Sequence, residues 1–158
     1  MADITHGTWI KDGKAVDAVY QSGVKVYGRN LALGTATAYK MTGENVANQA
    51  PVAYEFSSVI PRGTVVTVSF DISSSTGVGE FTMQFNGFDP GSSWQIISKG
   101  NLINGTKHMS ATVTTDGDHL HVCPKLDFAT GDVTFSNFII SESSKEVNWT
   151  PAPEDILK

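Results

Sequence analysis

TVVTVSFDISSSTGVGEFTMQFNG, residues 64–87, is the stretch that decides the fold. In its first half Val66, Val68, Phe70 and Ile72 fall on one face of an extended chain, with Thr67, Ser69 and Asp71 on the other. In its second half Phe81, Met83 and Phe85 share a face, and Glu80, Thr82, Gln84 and Asn86 oppose them. Alternation with a period of two is the mark of half-buried strands, here joined by a Ser/Gly turn. Two such strands need a second apolar layer to cover them, so a β-sandwich is expected. The polar row Thr82, Gln84 and Asn86 is then either plain solvated surface or a face that meets a ligand.

Outward from this stretch, further strands are expected near residues 31–37, 52–59, 94–98, 107–115, 119–126 and 133–141. Turn formers separate them: Pro61-Arg62-Gly63, Asp89-Pro90-Gly91, Asn104-Gly105, Asp116-Gly117-Asp118 and Thr130-Gly131-Asp132. With 64–73 and 80–86 they make an all-β, two-sheet antiparallel jelly roll or a similar sandwich. Residues 39–49 have room for a short helical turn, but Gly43 and the asparagines favour a loop. Residues 1–29 form a separate small element, with a hairpin around Gln21-Ser22-Gly23 and an earlier turn at Lys11-Asp12-Gly13-Lys14. The sandwich then covers 30–146. In the segment 147–158, Pro151 and Pro153 predict an extended exit along the surface, and Ala152-Pro153-Glu154-Asp155 suggests a piece of a longer polypeptide.

Composition narrows the function. A chain of 158 residues is long enough for one domain with a sizeable core. Hydrophobic residues make up 40% and charged residues 17%, so its surface relies on Ser, Thr, Asn and Gly rather than on ion pairs. A net charge of -5 argues against nucleic acid or an anionic membrane as partner. One cysteine, Cys123, excludes an internal disulfide. No basic segment followed by an apolar run opens the chain, so no signal peptide is expected, and no window is apolar enough for a membrane helix.

Three stretches carry a resemblance. VTFSNFIISESSKEVNWTPAPED, residues 133–155, resembles the closing strand and exit of jelly-roll modules in tail and baseplate proteins of phages that infect Gram-positive bacteria. VYQSGVKVYGRNLALG, residues 19–34, is similar to the hairpin and Gly-Arg-Asn-Leu that lead into such modules. SSVIPRGTVVTVSFDIS, residues 57–73, resembles their Gly turn and long alternating strand. The resemblance implies a carbohydrate-binding-module-like sandwich on the virion, at the exterior of the cell. Its implied partners are host cell-wall polysaccharide and other phage tail proteins. It also implies that 80–86, 94–98 and 119–126 build a concave, sugar-carrying sheet, with 64–73, 107–115 and the closing strand in the convex one.

Several residues are candidates for contact with a saccharide. Trp94 follows a Pro/Gly/Ser loop and is either a stacking platform for the C–H face of a sugar ring or a plug at the sandwich edge. Gln84, Asn86 and Thr82 offer amide and hydroxyl groups to sugar hydroxyls. His119, His121 and Cys123 alternate with Leu120 and Val122, so all three are expected on one face. The histidines either hydrogen-bond saccharide beside Gln84 or, as His-x-His, belong to a metal site for which spacing supplies no further ligand. Phe88 and Asp89 lie where they can rim the site. Trp9 and Trp149 are expected to anchor the terminal segments or to make an inter-module contact, and Tyr54 and Phe56 to be core. Asp116, Asp118, Asp127 and Asp132 are candidates for a structural Ca²⁺, although their spacing is not that of an EF-hand. No nucleophile elbow, P-loop or zinc-protease helix is present, and no carboxylate pair is singled out, so catalysis is not expected. The alternative to a binding module is a structural spacer of the tail that binds no sugar.

Overall fold

A computed structural model describes residues 2–5 and 7–157. The chain opens with β1 (Ala2–Thr5), β2 (Thr8–Lys11) and β3 (Lys14–Ala15), a three-stranded antiparallel sheet. The hairpin β4 (Ala18–Gln21) and β5 (Val24–Gly28) follows, turning at Ser22-Gly23 as expected. The sandwich consists of β6 (Tyr39–Glu44), β7 (Tyr54–Ile60), β8 (Val65–Ser74), β9 (Glu80–Phe85), β10 (Gln95–Asn101), β11 (Gly105–Thr114), β12 (His119–Asp127) and β13 (Thr130–Ser141).

These strands form two antiparallel four-stranded sheets, a front sheet in the order β10-β9-β12-β7 and a back sheet in the order β11-β8-β13-β6. Counted one to eight from β6, the orders are five-four-seven-two and six-three-eight-one. Consecutive strands thus cross repeatedly between layers, which is the interleaving of a jelly roll. The sheet membership expected for 64–73, 80–86, 94–98, 107–115, 119–126 and 133–141 holds in every case.

The core lies between the layers. Val66, Val68, Phe70 and Ile72 of β8 meet Phe81, Met83 and Phe85 of β9, with Phe56, Val122, Leu126, Phe135 and Phe138 completing the cluster. Phe70 packs edge-on to Phe81 with ring centroids 6.2 Å apart, and Phe56 meets Phe85 in the same way at 6.0 Å.

Three expectations are corrected. Residues 39–44 are a strand, β6, paired with β13, and not a loop. Gly43 belongs in that strand because a Cβ there would lie 2.4 Å from the Ala129 carbonyl oxygen. Residues 31–37 form one bridge, Ala32 to Phe56, and then a turn. The exit segment is packed, with Pro151, Ala152 and Pro153 buried and a helical turn α1 at Pro153–Ile156. Proline suits the first position of a helix, where its missing N–H costs nothing.

A buried asparagine joins these parts. Asn30, in the Gly-Arg-Asn-Leu stretch, points its Nδ2 at the Phe138 oxygen (2.9 Å), the Thr150 oxygen (3.0 Å) and Thr35 Oγ1 (3.0 Å). Its Oδ1 accepts from the N–H groups of Ala32 and Ile140. Nearby, Thr8 donates its hydroxyl to the Pro151 oxygen (2.7 Å), and Arg29 pairs with Asp17 and Glu154. Trp9 packs near Tyr27 and Trp149 donates Nε1–H to Thr35, so both tryptophans hold terminal segments in place.

Candidate functional site

The outer face of the front sheet carries the candidate residues. Thr82 and Gln84 project there because their neighbours Phe81, Met83 and Phe85 fill the core. Across the ladder Gln84 meets Cys123 on β12 and Ile96 on β10, while Thr82 meets Lys125 and Lys99. The row is more enclosed than an open sheet face, with Thr82, Gln84 and Asn86 all buried. Residues on two loops, 45–53 beside β12 and 87–94 above β9, form the walls.

Between these walls lies a cavity of about 460 Å³ lined by Gln84, Phe88, Trp94, Asn48, Ala50 and Lys125. Trp94 is 45% exposed and Phe88 85% exposed. Their rings meet edge to face, centroids 5.0 Å apart at 84°. Ile96, also exposed, extends the apolar surface along β10. Large rings are normally buried, so two adjoining exposed ones beside a cavity are an open apolar platform. The indole lies against Gly87, where a Cβ would come within 2.3 Å of Trp94 Cδ1, so only glycine admits this ring position.

Polar groups sit around the platform. Among the described residues the Gln84 amide makes no side-chain hydrogen bond, and it faces the cavity with one donor group and one acceptor. Lys125 is steered by Asp127 (Nζ to Oδ2 2.8 Å) and reaches Asn48 Oδ1 at 3.4 Å. The hydrogen bond from Lys125, with that from the Asn48 backbone N–H, holds the Asp127 carboxyl below its ordinary value. Thr82 lines a neighbouring cavity of about 210 Å³ with Glu80, Lys99 and Asn101.

Asn86 and the two histidines have other partners. Asn86 Oδ1 accepts from the Phe88 N–H and its Nδ2 donates to Asp89 Oδ1, an arrangement that shapes the loop carrying Phe88. His121 is on the outer face as expected, but its Nδ1 is engaged by Asp89 at 2.9 and 3.1 Å.

His119 departs from the expected face. The register of β12 against β7 shifts between His119 and His121, with the extra residues on β7, and His119 is turned inward. It is fully buried and lies parallel to Phe85, ring centroids 4.0 Å apart. Ser92 Oγ lies 2.8 Å from its Nδ1 and Gln95 Oε1 lies 3.2 Å from its Nε2. Burial pushes its pKa below the ordinary value, against the opposing pull of Asp116 and other nearby carboxylates. His119 therefore fastens the foot of the aromatic loop and does not reach the cavity.

Cys123 lies opposite Gln84 on the expected face but is buried, and burial pushes its thiol up to about 11. Asp116, Asp118, Asp127 and Asp132 each have a protein partner: Ser93, the Arg62 N–H, Lys125 and Thr42. Among the described residues no three His, Cys, Asp or Glu side chains gather as metal ligands. Sequence reasoning missed Lys125, Ile96 and Asn48. Lys125 was within reach, since it continues the alternation of His121 and Cys123 along β12.

No protein-family model matches the chain, and no curated protein matches it in sequence. Solved structures do. The tripod of the bacteriophage Tuc2009 baseplate matches with a TM-score of 0.51 at 14% identity, over 82% of this chain and 61% of that one. A variant of a family 29 carbohydrate-binding module matches with a TM-score of 0.42 at 11% identity, over 98% and 87% of the two chains. A carbohydrate-binding module of Cellvibrio mixtus lichenase 5A, in complex with cellotriose, matches with a TM-score of 0.35 at 10% identity, over 66% and 97%. The chain is a two-sheet jelly-roll sandwich, of a fold that also occurs in a phage baseplate.

Proposed function

We propose that the outer face of the front sheet binds a saccharide without cleaving it, and that the domain attaches a phage tail to host cell-wall polysaccharide. The observation that carries this reading is the exposed Trp94–Phe88 pair standing over a cavity that the Gln84 amide faces. A sugar ring has an apolar C–H face and an equatorial rim of hydroxyls. An indole plane accommodates the first, and an amide with a donor and an acceptor accommodates the second. Lys125 and Thr82 add polar contacts along the same face, while Asn86, His119 and His121 support the loop. A site that buries little of its ligand holds it weakly, and many copies on one particle strengthen attachment.

The test uses a fluorescent fusion on intact Gram-positive cells, with and without their wall polysaccharide. Binding is expected to depend on the polysaccharide and to be lost in Trp94→Ala. The thermal transition should move by no more than a few degrees, since the ring is half exposed. The second reading, a spacer that contacts neighbouring tail proteins, draws on the terminal segments, which are stitched to each other beside the sandwich. Well-folded protein that ignores cells bearing the polysaccharide would establish the spacer instead.

A further inference from the structure

The long edge of the back sheet has no partner. β11 is the outermost strand of that sheet and pairs with β8 over ten consecutive positions without a register shift. In an antiparallel ladder the N–H and C=O of one residue point to the same side, and the side alternates along the strand. The Thr114 carbonyl accepts from Gln95 Nε2 (2.8 Å), which approaches from β10 and not from β8. By alternation Thr106, His108, Ser110 and Thr112 also turn their backbone groups away from β8. Gln95 mimics a neighbouring strand at the end of this row, where its Oε1 also accepts from the Asp116 N–H (3.0 Å). The four residues before it have no such substitute among the described residues.

Two of the other edges of the sandwich are protected. The 31–33 segment hydrogen-bonds to β7 through the Leu33 N–H and the Leu31 carbonyl, and β10 carries a bulge between Ile96 and Ser98. Proteins commonly blunt exposed edges with bulges, prolines or charges. β11 has no bulge, no proline and no carboxylate, and Lys107 is its one lysine. Its inward row, Met109, Ala111 and Val113, packs against the core yet stays partly exposed, so the apolar layer is open on this side.

We propose that β11 pairs antiparallel with β11 of a second copy of this chain, joining the two back sheets into one. A two-fold axis through Met109 places Thr106 opposite Thr112 and His108 opposite Ser110. Every free backbone donor and acceptor of the four residues then meets a partner, because each faces a residue of the same parity. Met109 meets Met109 across the axis on the apolar side, and Lys107 lies opposite Ala111, so no like charges oppose each other. The His108 ring is held on the outer face by Asp71 and Glu146 and leaves the edge clear. The front sheet belongs to the other layer and keeps its outer face open. A contact of this length is smaller than the ~800 Å² per partner of a standard interface, so the dimer forms in the upper micromolar range and tightens where copies are tethered.

Sedimentation equilibrium of the whole chain up to about 500 µM, a concentration suited to a contact this small, is expected to show reversible dimerisation. Ser110→Pro removes an N–H that β8 does not use, so it should abolish the dimer while leaving the thermal transition in place. Met109→Cys should form an intermolecular disulfide on mild oxidation, and Met109→Cys combined with Ser110→Pro should not. A chain that stays monomeric over the whole range, with no cross-link through residue 109, overturns the proposal. So does a dimer that survives Ser110→Pro in folded protein.

Discussion

Two histidines show how much of this molecule's behaviour resides in single side chains. His108 lies on the outer face of the back sheet between Asp71 (Nδ1 to Oδ1 2.7 Å) and Glu146. Hydrogen bonds to Asp71 and then Glu146 raise its pKa above the ordinary 6.5. Its stabilising contribution is fully present below the unfolded value and is lost as pH rises through the folded one. His119 has the opposite sign, since burial lowers its pKa. Its contribution is present above the unfolded value near 6.5 and is lost as pH falls toward the folded one. Stability should therefore rise slightly on acidification toward that value and then fall below it. Thermal melts across pH check this: His108→Asn should remove the rise, and a flat profile through the acid limb would show that His119 is already charged in the fold.

At the scale of elements, the loop between β9 and β10 is where sequence and site meet. The alternation of 80–86 made its polar face legible, and the Pro/Gly/Ser run before Trp94 pointed to an exposed aromatic. What alternation cannot reveal is a break in register between strands, and one falls between His119 and His121. Nor does it reveal that Asn86 and Asp89 spend their hydrogen bonds on the loop itself. β6 escaped because Gly43 counts against a strand in composition, whereas in three dimensions its missing side chain admits the Ala129 backbone. Gly87 allows a direct test of the loop. Gly87→Ala should push the indole off its seat and weaken saccharide binding by about tenfold or more, a loss of ~1.4 kcal/mol. The fold should persist, because a small loop change at an exposed ring disturbs no core residue. Unchanged binding, measured by titration with wall polysaccharide, would remove Trp94 from the platform.

For the whole molecule, Asn30 is the point through which the parts are joined. It contacts the turn after it, β13 and the exit segment, at sequence separations of 5, 108 and 120 residues. Asn30→Ala would leave the Ala32 and Ile140 N–H groups and the Phe138 and Thr150 carbonyls short of a buried partner. A cost of ~3 kcal/mol is expected, lowering the unfolding midpoint by roughly 10 °C. Calorimetry would show this, and a shift of less than ~2 °C would mean that water replaces the side chain. The path of the tail is hidden in the sequence for the same reason. Pro151 and Pro153 signal an extended path, but nothing local shows that Asn30 and Thr8 wait to receive it.

That stitching also decides how the domain would carry tension. Thr8 meets Pro151 and Asn30 meets Thr150, so the incoming and outgoing chain touch at one place and the sandwich hangs from it as a side branch. Among the described residues, buried polar atoms of Tyr27, Arg29, Ser141 and Thr150 have no hydrogen-bond partner, and they lie in the segments that flank this seam. A pull along the backbone is borne first by these few contacts, which open one after another. The long ladders of β8, β11 and β13 lie outside the path of the force, so the face bearing Trp94 keeps its shape while the tether beneath it lengthens.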